Sequence, residues 1–538
     1  MQASALLFFV LLTLPWLNPF ATGPSPSVVS WLLTVGVTGG LMLIGGRPGR
    51  LFSRNSARRA PPSAAGLFAG AWLFAGAISS LMGLLQYFGA TAPLDPWVNA
   101  TNLGEAFGNL RQRNQFASLT NIALASLLWF AIKQPMATQR DSWRVMLLPL
   151  AGLLAVGNAA SQSRTGLVQL GLLCGLAVMW GLHRRDRAGD GVRNEMSDRA
   201  GYGAVRRVLI TAVLAYAVAA IALPLLLGFD LSSLGIAARL QAGDAPCSSR
   251  LALWSNVLHL VAQKPWLGWG WGELDYAHFS TLYDLTGHEA RFCDILDNAH
   301  NLPLQLAVEL GVPVALLVCG GFAVWAVRQK PWAEHDASRQ LAWAVMALIL
   351  LHSLLEYPLW YGPFLLAFVL CAWLLARSKP NQQAQASQGQ AVNRSVAHVL
   401  TALAAMLLIA FSSYAAWDYR RISQIYLPPE QRTAAYQGNT LAKTKTSWLF
   451  ADQVAFAELL TTPLTAANAM WALNTAESLL HYSPEPRVVE KLIESAVLLG
   501  RDEDALAYLA RYRAAFPKEH ARWAKSNQAG AAAAPPAQ

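Results

Sequence analysis

Two arginines and one histidine stand in short polar stretches between long apolar runs of this sequence. Arg164 lies in SQSRT (161–165), Arg250 in SSRLALW (248–254) and His300 in DNAHN (297–301). A guanidinium is a planar fork that matches phosphate oxygens. An imidazole acts as base, acid or neutral donor near neutral pH. Arg164, close between two apolar runs, needs an anionic partner, and His300 could handle a proton. Arg250 begins a stretch that reads as an amphipathic helix lying on or in the outer leaflet. The alternatives are a structural salt bridge for Arg164 and a satisfied polar role for His300.

Weaker candidates lie at the ends of other apolar runs. Arg111 and Arg113 interleave with amides in GNLRQRNQ (108–115), a pattern suited to a phosphate or a sugar. The alternative for both is anchoring of a helix end at the lipid headgroups. Tyr357 could donate a hydrogen bond to a phosphate, or it could belong to the aromatic belt of a membrane protein.

Polar groups also surround His300. The amides of Asn298 and Asn301 flank it and are candidates for ligand binding, and Glu309 follows nine residues later inside an apolar run. An ionisable group at that depth in a membrane span indicates function or pairing. We interpret Glu309 as a structural residue that orients an arginine. Residues 265–272 (PWLGWGWG) read as a glycine-rich turn with interfacial tryptophans, or as tryptophans that face sugar rings.

The sequence contains no P-loop and no zinc-ligand spacing, so we expect no metal site. Cys247 and Cys293 share one long polar stretch, whereas Cys174, Cys319 and Cys371 lie in apolar runs. If that stretch faces an oxidising compartment, a Cys247–Cys293 disulfide is permitted; two free thiols are the alternative.

The elements that must position these groups are membrane spans. Only 13% of the residues are charged, about half the share usual in soluble domains. About eleven apolar runs are long enough to span or nearly span a bilayer. They lie near 3–20, 28–46, 66–89, 115–132, 145–160, 166–182, 206–228, 301–327, 338–354, 358–376 and 395–416. We therefore predict an all-α polytopic membrane protein, with the net charge of +10 explained by topology rather than by nucleic acid.

The charges between the runs predict the orientation. The stretch 47–62 holds five Arg and no acid, and 183–207 holds seven Arg. Three further connecting stretches, or joints, are also basic: 133–144, 328–340 and 377–394. Basic joints alternate with the others along the chain, and short joints rich in Lys and Arg stay in the cytoplasm. The long stretch 229–300 carries four Lys or Arg against eight Asp or Glu. Arg111, Arg164, Arg250, His300 and Tyr357 then meet at the face away from the cytoplasm.

Five segments follow from this pattern. They are an N-terminal transmembrane bundle (1–228), a large periplasmic loop (229–300), a C-terminal transmembrane bundle (301–417), a small periplasmic helical domain (418–527) and a disordered tail (528–538). The helical domain has three amphipathic stretches, at 466–482, 484–500 and 502–516. One of its units resembles a tetratricopeptide repeat, but one unit does not make an array.

In their order, these motifs resemble the O-antigen ligase and polymerase superfamily. The matching residues are Ser163-Arg164-Thr165, Arg250 before Trp254, Gly268-Trp269-Gly270, and His300-Asn301 with Glu309 and Gly311. RQRNQFA (111–117) and EYPLW (356–360) are similar to a narrower branch, the bacterial protein O-oligosaccharyltransferases that include pilin glycosylation enzymes.

The resemblance implies a glycosyltransferase-C-like fold in the bacterial inner membrane with its site facing the periplasm. It implies glycan transfer from undecaprenyl pyrophosphate to a hydroxyl of an acceptor protein such as pilin, without a metal or other cofactor. Arg164 and Arg250 would contact the pyrophosphate, and His300 would activate or position the acceptor hydroxyl. Gln162 and Tyr357 match further positions of the protein-glycosylating branch.

Three other functions remain open from the sequence. Two lie in the same superfamily: transfer of O-antigen to lipid A-core, and O-antigen polymerisation. The third is transport of a lipid-linked sugar. Transporters tend to have internal repeats and charges at the membrane midplane. This sequence instead has no evident repeat, and its polar groups gather at one face, which favours an enzyme.

Overall fold

The computed structural model describes residues 3–20, 26–45, 63–133, 142–185, 192–229, 249–283, 291–377 and 391–533. Within these ranges the regular structure is entirely helical, as predicted, and no β-strand occurs.

Twenty-one α-helices follow one another in the described residues. The first twelve are α1 (Ala3–Leu17), α2 (Pro26–Gly45), α3 (Ala64–Tyr87), α4 (Arg113–Lys133), α5 (Ser142–Ala160), α6 (Arg164–Arg185), α7 (Val192–Leu226), α8 (Arg250–Gln263), α9 (Leu274–Ser280), α10 (Leu302–Leu310), α11 (Val312–Ala315) and α12 (Gly321–Gln329). The remaining nine are α13 (Ala337–Ser353), α14 (Gly362–Arg377), α15 (Ala391–Ser423), α16 (Thr440–Thr444), α17 (Ala451–Thr461), α18 (Ala469–Leu479), α19 (Pro486–Leu498), α20 (Asp502–Ala515) and α21 (Pro517–Ala533).

Seven helical segments of the described chain are long and apolar enough to cross a membrane. They are Ser27–Gly45, Ala64–Tyr87, Arg113–Lys133, Arg164–Leu182, Gly201–Leu226, Val312–Ala333 and Val396–Tyr426. Three shorter apolar helices cover Ser4–Leu17, Met146–Ala160 and Gly362–Arg377, and α13 covers the run near 338–354. Every predicted run therefore contains helix, while the number of eleven spans stays a prediction.

The run near 301–327 is not one continuous helix, contrary to its single apolar pattern. Helix α10 ends at Gly311, whose φ is +90°, and α11 begins directly after it. From α11 the chain continues through a π-helical turn, Leu316–Gly320, into α12. Glu309 consequently lies on the short helix that precedes the candidate span Val312–Ala333, and not inside a span.

The chain divides into two compact units. The first unit comprises residues 1–242 and 325–416. Helix α4 is its central element, because 89% of this candidate span is buried inside the protein, and it packs against α3, α5, α6, α7 and α13. Small residues permit this close packing: a Cβ at Gly76 would lie 2.3 Å from the Cβ of Ala123.

The second unit comprises residues 243–324 and 417–538, so it joins residues of four predicted segments. One core lies between α8, α9 and α10 and contains Val257, Leu260 and Ala277, each fully buried. The other core contains Phe279 together with side chains of α17 to α20, such as Leu473 and Leu492.

The C-terminal helices follow the predicted amphipathic stretches closely. Helices α18, α19 and α20 fall within 466–482, 484–500 and 502–516. Helix α21 extends to Ala533 and so enters the segment that was predicted to be disordered. The alanines of that segment explain the difference, since alanine has the highest intrinsic helix propensity.

Candidate functional site

The joint before α6 holds Arg164 at the first position of that helix. The Ser163 hydroxyl accepts the backbone N–H of Gly166 at 3.0 Å, which caps the helix, and the Ser163 N–H donates to Ser161 Oγ at 3.2 Å. Ser163 is fully buried and Arg164 is half-buried. The unbonded N–H groups and the dipole of a helix start favour anions. The joint therefore presents a guanidinium at a position that already favours negative charge.

Gln162 occupies a backbone conformation that few residues adopt. Its φ is +53°, its side chain is 8% exposed, and its Nε2 donates to the carbonyl of Gly104 at 3.0 Å. This bond ties the Arg164 joint to the loop that precedes α4. The geometry gives Gln162 a structural contact alongside its predicted role in binding.

The loop 99–112 is folded by two buried amides that the sequence analysis did not single out. Gln86 donates to the carbonyls of Asn99 and Gly108 and accepts the N–H groups of Phe107 and Gly108, all between 2.7 and 3.0 Å. Asn109 donates to the carbonyls of Leu17 and Trp97 at 2.9 Å. A glutamine near the end of an apolar run was the signal in the sequence that could have identified Gln86.

The two arginines of this loop differ in their surroundings. Arg113 forms an ion pair of 3.0 Å with Glu105, and its guanidinium lies 5.9 Å from the ring centre of Phe107. Arg111 is exposed, has a φ of +59°, and donates to Asn99 Oδ1 at 3.1 Å. Arg113 therefore holds the loop to its own helix, and Arg111 is the more accessible candidate for a ligand.

Tyr357 lies in the joint between α13 and α14 of the first unit. It is half-buried and stacks on Tyr361, with ring centres 5.9 Å apart. The preceding Glu356 is 5% exposed and accepts a hydrogen bond from Asn114 Nδ2 at 3.1 Å. The start of α4 and the Tyr357 joint are thus bonded directly.

In the second unit, Arg250 repeats the arrangement of Arg164. It is the first residue of α8, and Ser249 before it caps the helix by accepting the Ala252 N–H at 3.1 Å. One turn later, Trp254 Nε1 donates to the carbonyl of Ala299 at 3.1 Å. Helix α8 therefore carries Arg250 and also holds the turn that contains His300.

The turn around His300 is fixed by its neighbours. His300 is half-buried with a φ of +49°, and its N–H donates to Asn298 Oδ1 at 2.8 Å. Ala299 N–H donates to Gln305 Oε1 at 2.6 Å, and Asn301 caps α10 by accepting the Leu304 N–H at 3.1 Å. The side chains of Asn298 and Asn301 thus bond to the backbone on either side of His300. The sequence had predicted that these two side chains bind a ligand.

A glycine clasp holds the segment after His300. We use this name for residues 265–272 together with 308–312. Trp269 N–H donates to the carbonyl of Val308 at 2.8 Å, and Gly270 N–H donates to that of Glu309 at 2.9 Å. The Glu309 carboxyl is 3% exposed and accepts the Gly272 N–H at 2.9 Å. Burial raises the pKa of Glu309, so the clasp places a weakly acidic carboxyl against the glycine-rich turn.

The tryptophans of the clasp fall into two groups. Trp269 Nε1 donates to the carbonyl of Leu260 at 3.0 Å, and Lys264 Nζ lies 3.9 Å from the ring centre of Trp269. Trp266 and Trp271 are 76% and 64% exposed. Trp269 is therefore structural, whereas Trp266 and Trp271 leave most of their surface exposed.

A buried polar cluster supports the same region. His278 is fully buried, and its Nε2 lies 3.2 Å from Asn256 Oδ1 while its Nδ1 accepts the Leu296 N–H at 3.3 Å. Burial and the nearby Arg291 lower the pKa of His278 to about 2, so this imidazole stays neutral. His278 therefore serves as a structural hydrogen-bonding group.

The structure describes only one of the two cysteines in the predicted disulfide. Cys293 is disulfide-bonded, whereas Cys174, Cys319 and Cys371 are free thiols. Cys247 lies outside the described residues, so the pairing of Cys247 with Cys293 stays a prediction. Within the described ranges, no three His, Cys, Asp or Glu side chains group in a way that could hold a metal ion.

The predicted site residues thus fall into two sets. The first unit holds Arg111, Arg113, Gln162, Arg164 and Tyr357, and the second unit holds Arg250, Asn298, His300, Asn301 and Glu309. Contacts within each unit bring its own members together. The meeting of the two sets at one face remains a prediction.

Comparison with known proteins matches three family models in succession along the chain. Residues 106–131 match a protein glycosylation ligase model, residues 149–319 match the O-antigen ligase model, and residues 340–530 match the C-terminal model of virulence factor membrane-bound polymerases. The first match covers the second half of the loop that Asn109 folds, together with most of α4. The second match contains Arg164, Arg250, His300 and the glycine clasp.

Two curated relatives come from Acinetobacter baylyi. A general O-oligosaccharyltransferase is 26% identical over 326 residues, covering 58% of this chain and 51% of that protein. A ComP-specific O-oligosaccharyltransferase is 24% identical over 283 residues, covering 52% of this chain and 45% of that protein. The chain spans about half the length of the curated relatives it matches.

The apolar helices indicate a multi-pass membrane protein, and its residues 149–319 are similar to the O-antigen ligase family. The match at 106–131 and the two relatives show that the chain is similar to protein O-oligosaccharyltransferases, the branch that its motifs resemble.

Proposed function

We propose that this protein transfers an oligosaccharide from undecaprenyl pyrophosphate to Ser or Thr hydroxyls of periplasmic proteins such as pilin. The observation that carries this proposal is the protein glycosylation ligase match at residues 106–131. It falls on the central helix of the first unit, directly beside the Arg164 and Tyr357 joints. The membrane in question is the bacterial inner membrane, with the site on its periplasmic side.

Arg164 and Arg250 bind the pyrophosphate in this proposal. Each stands at the first position of a helix, beside a serine that caps the helix. As the sugar–phosphate bond breaks, negative charge develops on the departing pyrophosphate. A fixed guanidinium and the positive end of a helix dipole stabilise that charge more than they stabilise the bound donor.

His300 holds the acceptor hydroxyl and takes up its proton as the new glycosidic bond forms. The side chain of Asn298 and the cap of Asn301 hold the backbone on both sides of the imidazole, so little reorganisation is needed during the reaction. We propose that the transfer needs no metal ion, because the two arginines can supply the charge stabilisation that a metal would otherwise give to a pyrophosphate.

The test is a transfer assay with purified protein, a lipid-linked oligosaccharide and a pilin acceptor. Arg164→Ala and Arg250→Ala should lose most transfer, and the Lys variants should recover only part of it, since Lys lacks the bidentate fork. His300→Ala should fall by about 100- to 10,000-fold, the range for general acid–base catalysis, and should still bind the donor. A chelator should leave the wild-type rate unchanged.

His398 on α15 is exposed, so His398→Ala is the matched control for His300. A His300→Ala rate within a few-fold of the wild type would contradict proton transfer by this residue. Inhibition by chelator that added divalent ions reverse would contradict the metal-free mechanism.

A second candidate function is transfer of the glycan to lipid A-core, which the O-antigen ligase match at 149–319 favours. The same assay separates the two functions when lipid A-core competes with pilin as acceptor. Glycan on lipid A-core alone would replace the first proposal with the second.

A further inference from the structure

Six polar side chains of the first unit form two parallel rows of hydrogen bonds between three helices. Each row is called a rung below. We call them the polar ladder: Ser163, Asn114 and Glu356 form the upper rung, and Gln169, Ser118 and His352 form the lower rung. In each rung the middle residue belongs to α4, one partner lies at or in α6, and the other lies at or just beyond the end of α13.

The upper rung runs through the amide of Asn114. Ser163 Oγ donates to Asn114 Oδ1 at 2.7 Å, and Asn114 Nδ2 donates to Glu356 Oε1 at 3.1 Å. Ser163 Oγ also accepts the Gly166 N–H, so its own proton is directed to Asn114. The rung therefore needs a side chain at position 114 that accepts on one side and donates on the other, which is what an amide offers.

The lower rung lies one helical turn further along α4. Ser118 Oγ lies 2.9 Å from His352 Nδ1 and 3.0 Å from Gln169 Oε1, and Gln169 Nε2 also donates to the carbonyl of Leu348 at 2.9 Å. Ser118, Gln169 and His352 are all fully buried. Buried polar groups between membrane helices are costly when their partners are lost, so the rungs fix how the three helices are arranged.

The upper rung ends directly beside two predicted site residues. Ser163 precedes Arg164, and Glu356 precedes Tyr357, so Asn114 connects the two joints from which these side chains project. A displacement of about 1 Å between groups that act on one substrate can cost about 100-fold in rate.

We propose that Asn114 is a positioning residue that sets the geometry of Arg164 relative to Tyr357 during glycan transfer. This inference rests on the proposed function. Asn114 itself touches neither donor nor acceptor in this role; it acts through Ser163 and Glu356.

The polarity of the upper rung provides a test that a merely structural role would not satisfy. In Asn114→Asp, a carboxylate faces the Glu356 carboxyl and repels it, so kcat should fall by about 10- to 100-fold while the donor KM changes by less than about threefold. In Glu356→Gln, the amide of Asn114 can still donate, and the loss should be smaller.

The double variant Asn114→Asp/Glu356→Gln reverses the direction of that bond. The new carboxylate on α4 then accepts from the Ser163 hydroxyl on one side and from the introduced amide at position 356 on the other. We expect kcat to recover by about tenfold over Asn114→Asp alone, a coupling of the size found between residues in direct contact. Asn102→Ala removes an exposed amide from the loop before α4 and is the matched control.

The outcomes separate this inference from the proposed function. If the wild type and Asn102→Ala transfer no glycan to any protein acceptor, the proposed function fails. If they transfer glycan and the double variant is no faster than Asn114→Asp, the positioning role fails. Should Asn114→Asp not fold, recovery of folding and kcat in the double variant supports the rung, and its absence contradicts it.

Discussion

At the scale of single residues, the three proposed catalytic groups share a local design. Arg164, Arg250 and His300 each stand next to a side chain that caps a helix, namely Ser163, Ser249 and Asn301. The cap satisfies backbone N–H groups at the helix start, and it also fixes the neighbouring backbone. Each of the three side chains therefore projects from a backbone position that a helix cap holds in place.

Asp275 gives a prediction about pH and stability. Burial, with a contribution from Glu273 and Asp297, raises the pKa of Asp275 to about 7. The folded protein therefore retains this proton above about pH 4, where the unfolded chain has lost it, and the free energy of unfolding falls as the pH rises from about 4 to about 7. Asp275→Asn should remove this fall and should be more stable than the wild type at about pH 8, by about 2 kcal/mol after allowance for partial exposure.

Thermal unfolding in detergent between about pH 4 and about pH 8 measures this difference. Asp294→Asn removes a carboxyl from an exposed position and is the control. Parallel pH profiles for Asp275→Asn and the wild type would contradict a proton held on Asp275.

At this scale, the sequence pointed to candidate residues but did not predict which other residues they contact. Arg164 and His300 stood out because ionisable groups are costly where apolar runs leave them little distance from the membrane interior. The partners of Gln86 and Ser118 were not predictable, because a single polar residue in an apolar run gives no sign of its partner. The partners of Ser118 lie 51 and 234 positions away in sequence, a pairing that only the folded bundle reveals.

At the scale of elements, the glycine clasp requires glycine at two specific positions. Gly268 has a φ of +69°, and a Cβ there would lie 2.3 Å from the carbonyl oxygen of Glu309. Gly311 has a φ of +90°, and a Cβ there would lie 2.2 Å from the carbonyl oxygen of Trp266. Each glycine therefore allows one side of the clasp to approach the backbone of the other.

Gly268→Ala should destabilise the protein by more than its backbone conformation alone requires. A non-glycine residue at positive φ costs about 1–2 kcal/mol, and the clash with Glu309 adds to this cost. Gly272 is the matched control, because its φ is +79° and a Cβ there would meet no atom within 4 Å. Thermal unfolding should rank the wild type above Gly272→Ala and Gly272→Ala above Gly268→Ala; equal losses in the two variants would show that close approach plays no part.

Helix positions were predictable from apolar runs, but the break within 301–327 was not. Hydropathy records how apolar a stretch is and carries no information on a backbone reversal at one glycine. The clasp forms because 308–312 meets a segment that lies well before it in the sequence, and such a contact leaves no periodic signal. Hydropathy alone also does not give the number of spans, since several of the apolar helices are shorter than a bilayer requires.

At the scale of the whole molecule, the charge pattern predicts the side of the membrane on which each joint lies. A reporter that is active only outside the cytoplasm should be active when fused near residue 260 or residue 470. It should be silent when fused near residue 55 or residue 195, because those joints are rich in arginine. Activity of the fusion near 195 would reverse the assignment of every joint.

The second unit also has a consequence for the timing of synthesis. Phe279 is 1% exposed because it packs with side chains of α17 to α20, which are translated roughly two hundred residues later. At about 5–20 residues per second, the ribosome completes those helices about half a minute after it has made Phe279. The core that contains Phe279 therefore stays incomplete until α17 to α20 have been made. The early helices of the first unit are thus translated well before this core of the second unit can be completed.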